Sequence, residues 1–332
     1  MTSTKPTLGF WVRGHQSNAR RVVDWQAAFE GHCACSKINP DEEAYLSHFT
    51  YPSAFQSHHD TNGSERGYDG PCRASWLFWD IDQPYDPERA RTDARRLLGS
   101  ILNRYHELDE DDLLVFFSGS KGYHVGIPSA TFGAPDASPE FHETAKRFAL
   151  AHAERAGVAI DPLIYSKTRL FRAPNSRHAK TGLHKRRLSA DELGFLALAK
   201  IRELASEPAP FDPPSPNTLS PQAVDDWQAA RGLAATRAVE RRAFVDANPS
   251  KLTAFARRFL RDGELDETQR AVSVFRVAAE LTEFHHAHGF DALVHALVTD
   301  AARDSGLSPS EIKRQVESGI AHARRQGEGG AP

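Results

Sequence analysis

The residues best suited to chemistry lie at the end of an apolar run, SWLFWDID at 75–82. Asp80 and Asp82 are two positions apart, and alternate side chains of a strand share a face, so both carboxylates point the same way. Two buried carboxylates repel each other and are costly to hide from water. Oxygen ligands on one face suit hard divalent cations, which can support phosphoryl transfer. The pair therefore predicts a Mg²⁺ or Mn²⁺ site; the alternative is a solvated strand end, with Asp82 and Asp86 serving only as turn and capping residues.

A second polar group follows in SGSKGYHVGIP at 118–128. Hydroxyls, backbone N–H groups and a cation in a tight turn are suited to bind an anion. His124 shares a predicted strand face with Gly122 and Gly126, which predicts open space over the imidazole for something other than a side chain. The alternative is an ordinary hairpin turn whose glycines supply positive φ angles.

A third group begins at Asp161, at the end of a predicted short strand, VAID, and continues through a basic stretch from Lys167 to Arg187. Such a density of cations suits contacts with a polyphosphate or a nucleic-acid backbone. Leu170 and Phe171 are interleaved with the charges, which favours an anchored segment over the alternative of a solvated basic loop. Together the three groups predict a nucleotidyl-transfer site, with metal ions held by three carboxylates and a triphosphate held by cations and hydroxyls.

These three groups, in this order, resemble the motifs of the archaeo-eukaryotic primase superfamily, also called primase-polymerases. Its first motif is an apolar strand ending in Asp-x-Asp, its second reads Ser-Gly-x-basic-Gly-x-His, and its third is a hydrophobic residue followed by Asp. The resemblance covers about residues 70–190, including RLFRAPNSRHAKTGL after the third motif. It implies that Asp80, Asp82 and Asp161 are the catalytic carboxylates and hold two divalent metal ions. It also implies contacts with the incoming triphosphate from a set of polar side chains: Ser118, Ser120, Lys121, His124, Arg172, Ser176, His178 and Lys180.

The resemblance implies a template-directed nucleotidyltransferase that uses NTPs or dNTPs to synthesise primers on single-stranded DNA. An alternative within the superfamily is an end-joining-type repair polymerase, which extends existing ends. An alternative of another class is a non-catalytic replication-initiator module that binds template and recruits a helicase. The sequence has no Gly-x4-Gly-Lys-Ser/Thr phosphate loop, so we expect any unwinding to come from a separate helicase or replication protein.

Strands and helices must position these residues. Residues 1–205 combine strand-like runs with amphipathic helices and predict an α+β catalytic domain, a mixed sheet flanked by helices. One helix is expected to start at Pro87 with Asp86 as N-cap, and another at a capping box of Ser189 and Glu192. Residues 206–222 are Pro-rich and predict an extended linker. Residues 223–326 have helical periodicity only; they predict an all-α C-terminal domain and resemble the helical domains attached to primases of plasmids, phages and integrated elements.

Composition limits the class of protein further. The chain has 332 residues, of which 40% are hydrophobic, and its net charge of −3 is not the overall signature of a nucleic-acid binder. No apolar run reaches the length of a membrane span and the N-terminus lacks the apolar core of a signal peptide, so we expect a cytoplasmic protein with no membrane partner. Cys33, Cys35 and Cys72 are an odd number and fit a reducing compartment. We expect them to be free buried thiols; the alternative is a zinc site of three sulfurs and a histidine.

Overall fold

The computed structural model describes residues 7–14, 20–36, 38–65, 68–83, 85–215, 217–247, 252–262, 270–286, 298–299, 301–302, 307 and 309–328. The chain divides into two compact units, residues 1–232 and 233–332. The first unit contains both β-sheets, whereas the described part of the second unit consists of helices and the segments that join them. No helix in these ranges is long and apolar enough to cross a membrane.

The strands of the first unit form two four-stranded sheets. Their bounds are β1 (Leu8–Arg13), β2 (Arg21–Asp24), β3 (Ala44–Ser47), β4 (Trp76–Asp82), β5 (Leu114–Phe117), β6 (Gly122–Pro128), β7 (Leu170–Arg172) and β8 (Arg186–Leu188). The strand orders are β2-β1-β3-β7 and β4-β6-β5-β8, and every pairing between these strands is antiparallel. The predicted α+β class is confirmed, but the predicted mixed sheet is wrong. A tight turn joins β5 to β6, and β4 pairs antiparallel with the other edge of β6.

The helices of the described ranges are α1 (Trp25–Cys33), α2 (Ala54–Asn62), α3 (Pro87–Arg104), α4 (Phe141–Ala156), α5 (Ala190–Phe195), α6 (Leu198–Leu204), α7 (Pro221–Ala247), α8 (Ala254–Asp262), α9 (Arg270–His286) and α10 (Pro309–Glu328). Two predicted starts are confirmed. Asp86 caps α3 by accepting the N–H of Arg89, with Pro87 at the first helical position. The capping box of Ser189 and Glu192 opens α5.

The strand β4 carries the Asp-x-Asp pair out of the core. Leu77, Trp79 and Ile81 are fully buried, and the indole Nε1 of Trp79 donates to the carbonyl of Ala149 in α4 at 3.0 Å. The other face continues from Phe78 to the two carboxylates. Because β4 is buried on both faces before it ends, its last residues are held in place by the packing of the whole strand.

The predicted strand VAID is wrong. Residues 158–161 form no strand, and Asp161 instead caps a 3₁₀ turn, Pro162–Tyr165, by accepting the N–H of Leu163 at 2.9 Å. Pro162 has no N–H to give to a strand ladder, which explains why the chain turns here. The hydroxyl of Tyr165 donates to the carbonyl of Phe78 at 2.7 Å and fixes this turn against β4.

The basic stretch is anchored in both sheets. At one end β7 pairs with β3, with Phe171 opposite Leu46, in the first sheet. At the other end β8 pairs with β5, with Arg187 opposite Phe116, in the second sheet. The residues between them, 173–185, are therefore fixed at each end by a different sheet.

The described residues between α6 and α7, 205–215 and 217–220, form neither helix nor strand. The N–H of Ala209 donates to Asn175 Oδ1 at 3.0 Å, and the N–H of Phe211 donates to the carbonyl of Cys33 at 2.9 Å. The prediction of an extended linker over 206–222 stays a prediction, and its last two residues lie in α7. The division between the two units falls later, between residues 232 and 233, because the first three turns of α7 pack on the first unit.

The start of α7 is held by a buried ring and a charge network. Trp227 is 3% exposed and its ring lies 4.6 Å from that of Phe132, in stacked orientation. The neighbouring Asp226 accepts two hydrogen bonds from Arg104, each of 2.5 Å, and one from the hydroxyl of Tyr105 at 2.8 Å. Residues 221–232 are thus part of the core of the first unit.

The second unit has its own apolar core. Phe259, Val277 and Val316, from three different helices, are buried together in it. The helices α9 and α10 approach closely because Gly319 has no side chain: a Cβ there would lie 2.5 Å from the carbonyl oxygen of Phe275. The prediction that the C-terminal part is helical agrees with these elements.

Candidate active site

The pairing of β4 with β6 sets the geometry of the candidate site. Asp80 lies opposite His124, and Asp82 lies opposite Gly122. The backbone N–H of Asp161 donates to the carbonyl of Asp80 at 2.9 Å. Residues from all three predicted motifs therefore meet at the end of β4.

The two glycines that flank His124, Gly122 and Gly126, leave room for side chains of the neighbouring strand β4. A Cβ on Gly122 would overlap with the carboxylate of Asp82, and a Cβ on Gly126 would overlap with the ring of Phe78. The expected open space for an incoming group is therefore wrong, since side chains of β4 fill it. The glycines allow an acidic and an aromatic side chain to lie flat across the neighbouring strand.

Replacing Gly126 by alanine should lower the free energy of unfolding by about 1 to 3 kcal/mol, because the added Cβ would overlap with the buried ring of Phe78 and force the ring or the strand to shift. Urea denaturation measures the change. The matched control is Gly99→Ala in α3, where an added Cβ meets no atom within 4 Å and the substitution should add about 0.5 to 1 kcal/mol of stability. Equal stability of the Gly126 variant and the wild type would contradict the tight cross-strand fit.

Asp80 is a mostly buried carboxylate with an unsatisfied oxygen. Its Oδ1 is buried and accepts no hydrogen bond, although His124 Nε2 lies 3.4 Å away. Burial raises the pKa of Asp80 to about 6, against the opposing effect of nearby cations, of which Lys185 is the largest. Burial also lowers the pKa of His124 well below its usual value, so the imidazole is neutral and its contact with Asp80 is not an ion pair. An unpartnered, buried carboxylate oxygen of this kind fits a cation ligand.

Asp82 is more exposed and has a cationic partner. Lys121 Nζ lies 3.0 Å from Asp82 Oδ2, and both side chains are about one third or more exposed. Burial, and after it the charge of Asp80, raises the pKa of Asp82. The lysine of the predicted anion-binding turn thus neutralises the outer carboxylate of the pair.

Asp161 joins this group through its backbone. Its Oδ1 accepts the N–H of Leu163 as the cap of the 3₁₀ turn. In the part of the chain that the structure describes, no three His, Cys, Asp or Glu side chains are arranged to hold one metal ion. The expected cluster of three metal-binding carboxylates is therefore not found among the described residues in this arrangement. Its role as a third metal ligand stays a prediction.

The turn at 118–121 is internally ordered. Ser118 Oγ accepts the N–H of Gly122 at 3.2 Å, and Gly119 has a φ of +86°. The carbonyl of Gly119 accepts the hydroxyl of Thr181 at 2.5 Å. Ser120 and Lys121 are partly exposed beside it. The contact with Thr181 places part of the basic stretch against the turn that was predicted to bind the same anion.

The side chains predicted on the basic stretch have unequal surroundings. Arg172 is 12% exposed and is bound by Glu43 Oε1 at 3.2 Å and by the hydroxyl of Tyr45 at 2.9 Å. Lys180 is exposed, and its backbone N–H donates to Nδ1 of His178. Burial lowers the pKa of His178. Arg172 therefore already has a carboxylate partner, whereas Lys180 extends to the surface.

Ser176 differs from the other predicted triphosphate contacts. It is fully buried, and its hydroxyl lies within hydrogen-bond distance of the carbonyls of Ala44, at 3.1 Å, and Ala173, at 2.8 Å. In this arrangement the geometry gives no support to a contact between this hydroxyl and a ligand. The sequence offers no signal for the difference, because burial here depends on the pairing of β3 with β7.

Lys185 is a buried cation that the sequence identifies only as one of many basic residues. It is 1% exposed, donates to the carbonyl of Arg172 at 2.8 Å, and has its Nζ 4.1 Å from the ring centroid of Phe171. Burial lowers its pKa well below the usual value, and Asp80 opposes this shift. His48 lies nearby, 3% exposed, with neither ring nitrogen hydrogen-bonded in the described structure. Lys185 and His48 are therefore two buried polar side chains close to the carboxylate pair.

The three cysteines are free. Cys33 and Cys72 are buried, and burial raises the pKa of both thiols, that of Cys72 to about 12. Cys35 is partly exposed. Cys33 and Cys72 have the burial that was expected of all three thiols, whereas Cys35 does not. The alternative of a zinc site stays a prediction without a ligand set among the described residues.

No protein-family model and no curated protein matches the chain. Among solved structures, the crystal structure of the primase RepB' is similar to the chain, at 12% sequence identity. The match covers 98% of this chain and 95% of that chain, with a TM-score of 0.33. Similarity at this level carries no argument about function, which has to come from the site residues themselves.

Proposed function

We propose that the chain is a template-directed nucleotidyltransferase that synthesises primers on single-stranded DNA. The observation that carries this proposal is the meeting of three separate motifs at the end of β4. Asp80 and Asp82 lie there beside the backbone of Asp161 and opposite the strand that holds His124. An acidic pair next to an anion-binding turn is the combination that phosphoryl transfer from a nucleoside triphosphate requires.

Divalent cations fit the carboxylate pair. Asp80 has a buried oxygen without a donor, and Asp82 lies on the same strand face. We infer that these two side chains hold Mg²⁺ or Mn²⁺, with Asp161 as the third ligand after a change of its side-chain position. When bound, such ions supply electrostatic stabilisation to the phosphoryl group being transferred.

The chain's own cations then orient the nucleotide. Lys121, released from Asp82, and the backbone N–H groups of residues 119–121 bind triphosphate oxygens, and Lys180 contacts the same group from the basic stretch. The 3′-hydroxyl oxygen of the preceding nucleotide forms a bond to the α-phosphorus while the bond to the β-phosphate oxygen breaks. Pyrophosphate leaves, and the hydroxyl proton passes to solvent. Positioning and charge carry the reaction, and no covalent enzyme intermediate is needed.

The test is synthesis without a primer. The full chain is incubated with single-stranded DNA, Mg²⁺ or Mn²⁺ and labelled NTPs or dNTPs, and products are separated on a denaturing gel. We expect labelled dinucleotides and longer products. Extension of pre-annealed primers alone would replace the proposal with the repair-polymerase alternative, and template binding without any synthesis would replace it with the non-catalytic initiator.

A further inference from the structure

Tyr85 is the most exposed large hydrophobic residue in the described part of the chain, with 100% of its surface accessible. It lies three residues beyond Asp82, on the turn that joins β4 to α3. Three residues of extended chain span at most about 10 Å, so the ring is presented close to the candidate active site. A single exposed aromatic residue is ordinary by itself, so a binding role for this ring depends on its position beside the carboxylate pair and on the charges around it.

The turn that carries Tyr85 is held on both sides. The N–H of Asp86 donates to the carbonyl of Gln83 at 3.2 Å, while the carboxylate of Asp86 caps α3. The side-chain amide of Gln83 donates to Asp93 Oδ2 at 3.3 Å. The two residues on either side of this turn, Gln83 and Asp86, are therefore fixed by hydrogen bonds.

Positive charge lies next to this turn. Arg89 and Arg96 both face the buried carboxylate of Asp93, at 3.0 and 3.7 Å, and their side chains are 53% and 52% exposed. One carboxylate opposite two guanidinium groups leaves a positive charge. Glu88 is paired with Arg91 at 2.8 Å, whereas Asp86 caps the helix through a backbone N–H and keeps its negative charge at the start of α3.

We propose that Tyr85 is a stacking platform for a base of the single-stranded DNA template, with Arg89 and Arg96 beside the DNA backbone. An aromatic face next to cations is the surface that binds unpaired nucleotides, because every base has a face that can stack and every linkage carries a negative charge. A duplex offers no such base face away from its ends. This inference rests on the proposed function, since it assigns the template to that site.

The experiment measures DNA affinity by fluorescence anisotropy, with the full chain and a labelled oligothymidylate. Tyr85→Ala should weaken binding by about 5- to 100-fold, the contribution of one stacked base. Tyr85→Phe, which keeps the ring, should stay within about twofold of the wild type. The control is Phe195→Ala, an aromatic residue that is 83% exposed and lies beside Arg91 on the other flank of α3; it should leave affinity unchanged.

Salt dependence separates stacking from charge. Tyr85→Ala should leave the slope of log affinity against log salt unchanged, because stacking releases no counterion, whereas Arg96→Gln should reduce it by about one. Unchanged affinity in Tyr85→Ala, or equal losses in Tyr85→Ala and Phe195→Ala, would overturn the inference. Self-association through Tyr85, seen as a smaller particle for Tyr85→Ala in sedimentation, together with unchanged DNA affinity, would replace the template by a second copy of the chain.

The proposed function can fail separately. If the wild type synthesises products while Tyr85→Ala binds DNA normally, the stacking role is wrong and the function stands. If Tyr85→Ala loses DNA affinity but the wild type itself synthesises no products, the stacking role stands and the nucleotidyltransferase proposal is wrong.

Discussion

Replacing Asp80 by asparagine should abolish nucleotide incorporation and, in metal-free buffer at pH 7, make the protein more stable. The side chain keeps its size but loses the charge that binds cations. Burial raises the pKa of Asp80 from 3.8 to about 6, so the ionised form opposes folding by up to about 3 kcal/mol at pH 7. We expect the free energy of unfolding, measured by urea denaturation, to rise by about 1 to 3 kcal/mol. The rise is at most the cost of the buried charge, because the amide that replaces the carboxylate is itself a buried polar group.

The pH dependence has a definite sign. A carboxyl whose pKa is higher in the folded state stabilises the fold below the unfolded value, near 4, and loses that contribution as the pH rises through about 6. The wild type should therefore lose stability between pH 4 and pH 6 in chelator, and Asp80→Asn should lose less. Asp212→Asn, at an exposed position, is the control for removing a surface charge. Normal synthesis by the Asp80 variant would remove the metal assignment, and reduced stability would mean that the carboxylate has a partner in the fold.

Replacing Trp227 by alanine should lower the free energy of unfolding by about 3 to 5 kcal/mol, as expected for a large buried aromatic side chain. The ring is 3% exposed and lies 5.0 Å from Phe141 and 5.6 Å from Phe148, in addition to its stacking on Phe132. A loss of this size is a large part of the stability of an ordinary domain. Thermal and urea denaturation of the full chain measure it.

Leu233→Ala is the control on the same helix, because Leu233 is 48% exposed and its removal should cost less than about 1 kcal/mol.

The role of the α7 start in the core also predicts how truncated chains behave. A chain that ends at residue 222 lacks Asp226 and Trp227 and should be much less stable than one that ends at 247. Equal melting temperatures for these two chains would contradict the role of the α7 start in the core.

The elements around the site are predictable where local rules act. The alternation in SWLFWDID predicts β4, and the pair Asp86–Pro87 predicts the start of α3, because a capping carboxylate and a fixed φ act on neighbouring residues. The strands β1 to β3 are different. They are short, and their pairings, such as Leu46 with Phe171, join residues far apart in the chain. No local pattern encodes such partners.

The candidate site divides in the same way. Spacing places Asp80 and Asp82 on one face, and the pairing of β4 with β6 brings His124 opposite Asp80. Burial could not be predicted, because it depends on which elements cover a residue. Lys185 and Ser176 belong to one basic segment in the sequence, yet both are inside the protein. Asp161 was expected in a strand, but the proline after it ends any ladder and its carboxylate caps a turn.

The attachment of residues 173–185 to two different sheets has a consequence for protein engineering. A surface loop joined to one hairpin can be exchanged between homologous proteins as a cassette. This segment cannot be exchanged in that way. The residue before it, Arg172, is paired with β3 in one sheet, and the residue after it, Arg186, is paired with β5 in the other sheet. A transplanted version would fold only if the recipient kept the same offset between the sheets, so grafting this segment requires moving β3, β5 and their packing together with it.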